Sequence, residues 1–137
     1  VKSRVVTALS LSTWLWLSST SAAECPEKII LKTVEPVVFL DGKPQLQIPA
    51  RIDTGATLSS LDTALARQLG LDQQPIREIT VYNAHGSSRR KVVRLKFLLR
   101  GQVREAEFTL IARKELPHQI LLGRQSLKGF LVDPSEP

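Results

Sequence analysis

Two neighbouring stretches, VVRLKFLL (residues 92–99) and VREAEFTLI (residues 103–111), alternate apolar and polar side chains with a period of two. Successive side chains of a strand point to opposite sides, so a β-strand turns this pattern into one apolar and one wet face. Arg94 and Lys96 then lie opposite Val93, Leu95 and Phe97, and Glu105, Glu107 and Thr109 lie opposite Ala106, Phe108 and Leu110. Arg100-Gly101-Gln102 between them is a turn, which predicts two half-buried strands over a shared core. With 137 residues, 42% of them hydrophobic, the chain is one domain's worth, and the remainder has to close on that pair.

The rest of the chain continues in the same style. Ile29–Val34 and Val37–Leu40 are short β-prone runs, and Asp41-Gly42 turns the chain towards Leu46–Ile52, where Pro49 marks an edge or a bulge. In LSSLDTALARQLGL, Leu61, Leu65 and Leu69 recur at helical spacing. Ser59 and Asp62 resemble a capping box and Gly70 a terminator, so one short helix is predicted. Ile79–Tyr82 and Lys91–Leu99 flank NAHGSSRR, which reads as a hairpin with a mobile tip. HQILLGRQSLKGFLVD closes with an apolar run into a glycine, a polar helical turn and a last strand. About seven strands with one or two short helices make a mainly-β barrel or sandwich.

Residues 1–23 place Lys2 and Arg4 before an apolar stretch, Val5–Leu17, and end on small residues including Ser21 and Ala23. This is the layout of a secretory signal peptide, leaving residues 24–137 as the domain. An uncleaved membrane anchor is the weaker alternative, because a span needs roughly 20 apolar residues. Cys25 is the only cysteine, so no intrachain disulfide supports the fold. The formal charge is +6, and Arg89, Arg90, Lys91, Arg94, Lys96, Arg100 and Arg104 fall in one stretch. No aromatic residues are interleaved with them as a nucleic-acid platform requires, so nucleic acid is not a predicted partner; an anionic envelope surface or an acidic partner suits them better.

Few kinds of catalysis are open to these residues. His85 and His118 belong to no metal-binding pair, and with Cys25 they form no zinc-like spacing. A G-x-S-x-G elbow is missing. In QIPARIDTGATLSSL, however, a strand-like run stops at Asp53, followed at once by Thr54 and Gly55. Gly55 lets backbone approach a carboxylate closely, and the Thr54 hydroxyl is placed to brace the loop. The tripeptide alone reads more simply as a turn.

ARIDTGATLSSL followed by LARQLGL resembles the active-site segment of retropepsin-like aspartic proteases. ILLGRQSL resembles the late segment that crosses behind the catalytic loop in that family. DTGA, RRKVVR, EFTLIARKELPHQILLGRQSLKGFLVD and the total size are similar to the bacterial branch labelled an ATP-dependent zinc protease. Thr57 and Asp62 depart from that branch, which places a basic residue and a histidine there, and no GxxxxGK loop accompanies the ATP of the label.

The resemblance implies a closed acid-protease barrel with Asp53 catalytic, Thr54 and Gly55 in support, and a flap from Ile79 to Val93. Ala56, Leu58, Asn83, Ala84, His85, Gly86 and Ile120 would line the substrate, and no cofactor or metal is implied. Arg124 would pair with an acid or buttress the active loop, and Leu121, Leu122 and Leu127 would be core. Two carboxylates must share one proton in such chemistry, and the chain has one Asp-Thr-Gly, so a homodimer is implied. The expected location is periplasmic or secreted, with a peptide or protein as substrate. The sequence also admits an envelope regulator, membrane association through an uncleaved N-terminus, and an alternative role as a non-catalytic peptide-binding module of the cell envelope.

Overall fold

The computed structural model describes residues 26–44 and 47–135; the predicted leader at 1–23, Cys25 and Leu46 lie outside them. The strands are β1 (Ile30–Leu31), β2 (Val34–Phe39), β3 (Ile48–Ile52), β4 (Ser59–Asp62), β5 (Arg77–Asn83), β6 (Gly86–Leu99), β7 (Gln102–Ile111), β8 (Ile120–Leu122) and β9 (Leu131–Val132). One helix, α1 (Thr63–Leu69), stands among them. Seven strands run in the order β2-β3-β8-β4-β7-β6-β5, and β2 also pairs with β6. The ring β2-β3-β8-β4-β7-β6 is therefore closed, as the barrel reading expects, and closure removes the edges of those strands. β5 hangs outside it on β6. β1 and β9 form a separate two-stranded parallel sheet.

The alternation of β6 and β7 fills the ring. Val93 pairs with Phe108, and Leu95 with Ala106, each buried, while Arg94 pairs with Glu107 on the outside. Phe39, Phe97 and Phe108 meet edge to face, with centroids 5.5–6.3 Å apart, the geometry aromatic quadrupoles favour. Ala50, Ile52, Leu61, Ile120 and Leu122 complete the interior from the other wall.

Four local expectations change. The run Ile29–Val34 is broken, because the buried Glu35 carboxylate accepts from Lys32 N (2.8 Å) and turns the chain between β1 and β2. β3 is interior rather than an edge: Pro49 faces Pro36, and the outer neighbours begin pairing only at Ala50 and Val37, so neither proline breaks a ladder. Ser59–Asp62 is a strand, not a helix start, because those residues bond between β7 and β8. Asp62 alone caps α1, accepting from Leu65 N (3.1 Å), and Gly70 ends it at φ 71°. Finally, Ser87–Arg90 belong to β6, so the hairpin tip shrinks to Ala84-His85 between the paired Asn83 and Gly86.

Candidate active site

β3 leaves the barrel wall at Ile52, and Asp53 N still donates to Leu122 O (2.9 Å), continuing the ladder with β8 by one bond. The chain then loops through Thr54–Leu58 and returns as β4 on the far side of β8. β8 pairs parallel with β3 and antiparallel with β4, so it threads between the two strands that hold the Asp53 loop. Asp53 is half-buried, and its Oδ1 accepts from Gly55 N (2.9 Å). That bond fixes one carboxylate oxygen and leaves Oδ2 without a hydrogen bond among the described residues.

The loop is held from below by the segment after β8. Arg124 N donates to Ala56 O (2.8 Å), and Gly123 N to the buried Ser59 Oγ (3.0 Å), itself paired with Ser126 Oγ (2.6 Å). The Arg124 guanidinium donates to Thr54 O and Gly55 O (2.9 Å each) and to Thr57 Oγ1 (2.7 Å). Arg124 thus buttresses the loop through carbonyls and a hydroxyl, and no acid pairs with it among the described residues. Thr54 contributes its carbonyl to this brace, whereas its hydroxyl has no hydrogen bond among the described residues. Gly123 is required sterically, since a Cβ there would lie 2.4 Å from Leu58 O.

Ala56 and Leu58 sit half-buried in the loop, with Thr54 and Gly55 exposed. Ile120 does not join them. It is fully buried (0% exposed) and pairs with Ala50 and Leu61 inside the barrel, so it cannot line a substrate groove. The outward member of the β8 triplet is Leu121, which is half-exposed and pairs with Arg51 and Ser60 on the outer face; Leu121 is therefore not core. Ala84, His85 and Gly86 form the exposed tip of the β5–β6 hairpin, whose pairing beyond Val92 is only with itself, so it projects from the barrel.

The outer face carries further charge around the Asp53 loop. Arg51 stands on the outer side of β3, paired with Leu121, two residues before Asp53. Arg113 N donates to Asp62 Oδ1 (2.7 Å), and its Nε donates to His118 O (3.0 Å), which pins the loop after β7 beside β4. Burial pushes the Arg113 guanidinium down from its usual value, opposed by the nearby carboxylates of Asp62 and Asp53 and assisted by Arg90. Burial pushes the Asp62 carboxyl up, but hydrogen bonds from the backbone of Arg113, Leu65 and Ala64 and from Gln119 outweigh it and leave the group below its ordinary range. Sequence spacing exposes Arg51 at two residues from Asp53; nothing in the sequence marks Arg113.

Among the described residues no three His, Cys, Asp or Glu side chains converge as a metal-binding group, so the donor set does not fit the zinc of the bacterial label.

Residues 39–129 match the family described as gag-polyprotein putative aspartyl protease. No curated protein matches the chain significantly. Among solved structures, a Legionella pneumophila protein of unknown function is similar at 25% identity and a TM-score of 0.56, covering 80% of this chain and 95% of its own. The simian foamy virus protease aligns at 22% identity and a TM-score of 0.52, over 69% of this chain and 90% of its own. The EIAV protease bound to an inhibitor aligns at 19% and 0.50, over 69% and 84%. The two viral likenesses concern the fold.

Proposed function

The chain belongs to the gag-polyprotein aspartyl protease family, and from that premise we propose that it is an aspartic endopeptidase whose catalytic carboxylate is Asp53, completed by a second copy of the chain. The observation that carries the reading is the Asp53 loop itself: a half-buried carboxylate with one oxygen oriented by Gly55 N and its backbone clamped by Arg124.

A carboxylate so held is pre-positioned for a water, and a rigid donor set lowers the reorganisation needed during reaction. Peptide hydrolysis of this kind takes two carboxyl groups about 3 Å apart, which cannot both ionise. The ionised one accepts a proton from the water as its oxygen attacks the scissile carbonyl; the protonated one donates to the carbonyl oxygen. Collapse of the tetrahedral intermediate sends a proton to the leaving nitrogen. One Asp-Thr-Gly per chain calls for a two-fold axis beside Asp53, with the exposed Thr54 and Gly55 facing it. The substrate lies extended across Ala56, Leu58 and Leu121, adding main-chain hydrogen bonds as a strand does, and Asn83–Gly86 of the hairpin close over it. The leader at 1–23 supports a periplasmic or secreted site of action for residues 24–137, and the likeness to the bacterial branch rests on the sequence segments alone.

Incubation of the full chain and its Asp53→Asn variant with a diverse peptide pool tests this. The parent should cleave and the variant should not, with the two indistinguishable by circular dichroism and by mass in solution. Specific activity should rise with protein concentration as dimers form. Cleavage by both proteins, or by neither, refutes the assignment; peptide binding that survives in both would favour the non-catalytic module.

A further inference from the structure

The strand register places five arginines on or beside the outer face that carries Asp53. Arg51 (β3) pairs with Leu121, Leu121 with Ser60, Ser60 with Thr109, and Thr109 with Val92, so these positions form one continuous side of the sheet. The 3.1 Å contact between Ser60 Oγ and Thr109 Oγ1 confirms the shared side. Arg90 and Arg94 flank Val92 at two-residue steps on that side, Arg77 pairs with Val92, and Arg113 hangs over Asp62 from the loop after β7.

These arginines divide into two groups. Arg77 and Arg94 both bond Glu107, Arg94 at 3.2 Å, and Arg94 also faces Glu105 at 4.0 Å, so two carboxylates balance the two guanidiniums. Arg51, Arg90 and Arg113 have no carboxylate within ion-pair distance among the described residues. Arg90 reaches only Ser88 Oγ (3.3 Å), and Arg113 spends its Nε on a carbonyl. Arg90 and Arg113 are half-buried, where water screens a charge less than on an open surface. Arg51 and Arg90 without an ion pair, together with Arg113 in the field of Asp62 and Asp53, leave this face with an excess of positive charge. Glu107 and Glu105 on the same side are taken up by Arg77 and Arg94, and both oxygens of the Asp62 carboxylate are engaged by backbone N–H groups.

We propose that Arg51, Arg90 and Arg113 make the groove selective for acidic peptides, with Asp or Glu side chains seated next to the bond that Asp53 attacks. The inference rests on the peptidase reading and adds the substrate class to it. Each guanidinium presents a planar fork of donors that matches a carboxylate, and its stem can lie along apolar wall such as Leu121. Across the two-fold axis a second Arg51 stands on the other side of the paired carboxylates, so the preference extends to both sides of the cleaved bond.

The test uses one peptide frame made in Glu, Gln and Lys versions, presented to the full-length parent, to Arg51→Gln and to Arg90→Gln. Binding of the same peptides to Asp53→Asn is measured in parallel. The Glu version should be cleaved with a kcat/KM about tenfold or more above the Gln version, the Lys version should be poorest, and the ratio should shrink with added salt. In either arginine variant the Glu-to-Gln ratio should fall towards one, with thermal midpoints near the parent's. Equal cleavage of Glu and Gln versions, or a ratio unmoved by both substitutions, overturns the inference while leaving the peptidase standing. If the parent cleaves nothing, the peptidase reading fails by itself, and the binding series on Asp53→Asn decides: a Glu preference upholds the acidic groove, and its absence removes it.

Discussion

Gly123→Ala is the sharpest structural test of the site. A Cβ at this position would lie 2.4 Å from Leu58 O, 2.7 Å from Leu58 C and 3.0 Å from Ala56 O, all of them backbone atoms of the Asp53 loop. Backbone cannot swing aside as a flexible side chain would, so β8 and the loop have to separate. Overpacking of this kind costs about 1–3 kcal/mol. The separation also strains the bonds from Gly123 N to Ser59 Oγ and from Arg124 N to Ala56 O, each worth about 1 kcal/mol. Weakening rather than losing those two bonds adds about 1 kcal/mol, so a total of about 2–4 kcal/mol follows, which in urea unfolding moves the midpoint by about 1–2 M. Gly101→Ala is the matched control: nothing lies within 4 Å of its Cβ, so only the φ of 75° opposes the substitution, at about 1–2 kcal/mol. A Gly123→Ala protein within about 0.5 kcal/mol of the parent would refute the close-approach argument.

Arg124→Met should leave the barrel folded but loosen residues 53–57, seen as faster amide exchange at Gly55 and Ala56 and at least a tenfold loss of cleavage, because three guanidinium bonds disappear together. Asp62→Ala should cost about 2–4 kcal/mol in denaturant unfolding, since it removes the α1 cap and strands the Arg113 N–H, whereas Asp62→Asn should recover part of that. The Arg77 hydrogen bond, opposed by burial and reinforced by Arg94, holds the Glu107 carboxyl below its usual range, and Asp62 is likewise lowered. Both groups therefore stabilise the fold fully above the unfolded carboxyl values of about 4, and that stability drains away as pH falls through the lower folded values. Unfolding free energy measured from pH 6 to pH 2 should fall below about pH 4, and Glu107→Gln should flatten part of the slope.

What could be read from the sequence followed the reach of the forces involved. Alternation in β6 and β7 is set by each residue's immediate neighbours, and those strands, their hairpin and the helix terminator Gly70 were all legible. The start of α1 was not. Leu61, Leu65 and Leu69 keep helical spacing, yet Leu61 is claimed by Ile120 and Leu110 from strands far along the chain, and long-range pairing overrode local periodicity. The same limit explains Ile120 and Leu121. An apolar triplet such as Ile120-Leu121-Leu122 gives no sign of which member faces outward until its register with Ala50 and Ile52 is known. Asp53 was legible as a motif and Arg124 as a residue of interest, but the brace between them depends on a crossing that no local signal encodes. Arg113 is held beside β4 by the Asp62 carboxylate, which accepts from its backbone N–H, so its spacing from Asp53 in the chain carries no information.

The threading of β8 between β3 and β4 also dictates when the site can exist. Arg124 and Thr54, which it brings together, are 70 residues apart, so the clamp closes one of the longest loops in the molecule. Such long-range closure is entropically slow compared with forming the β6–β7 hairpin. A nascent chain that has not yet reached β8 would have β3 and β4 without the strand that joins them and Asp53 on an untethered loop. The brace around the Asp53 loop therefore forms with a delay, after β8 and Arg124 have been made, and a product cut short before β8 would lack the clamp that the proposed chemistry depends on.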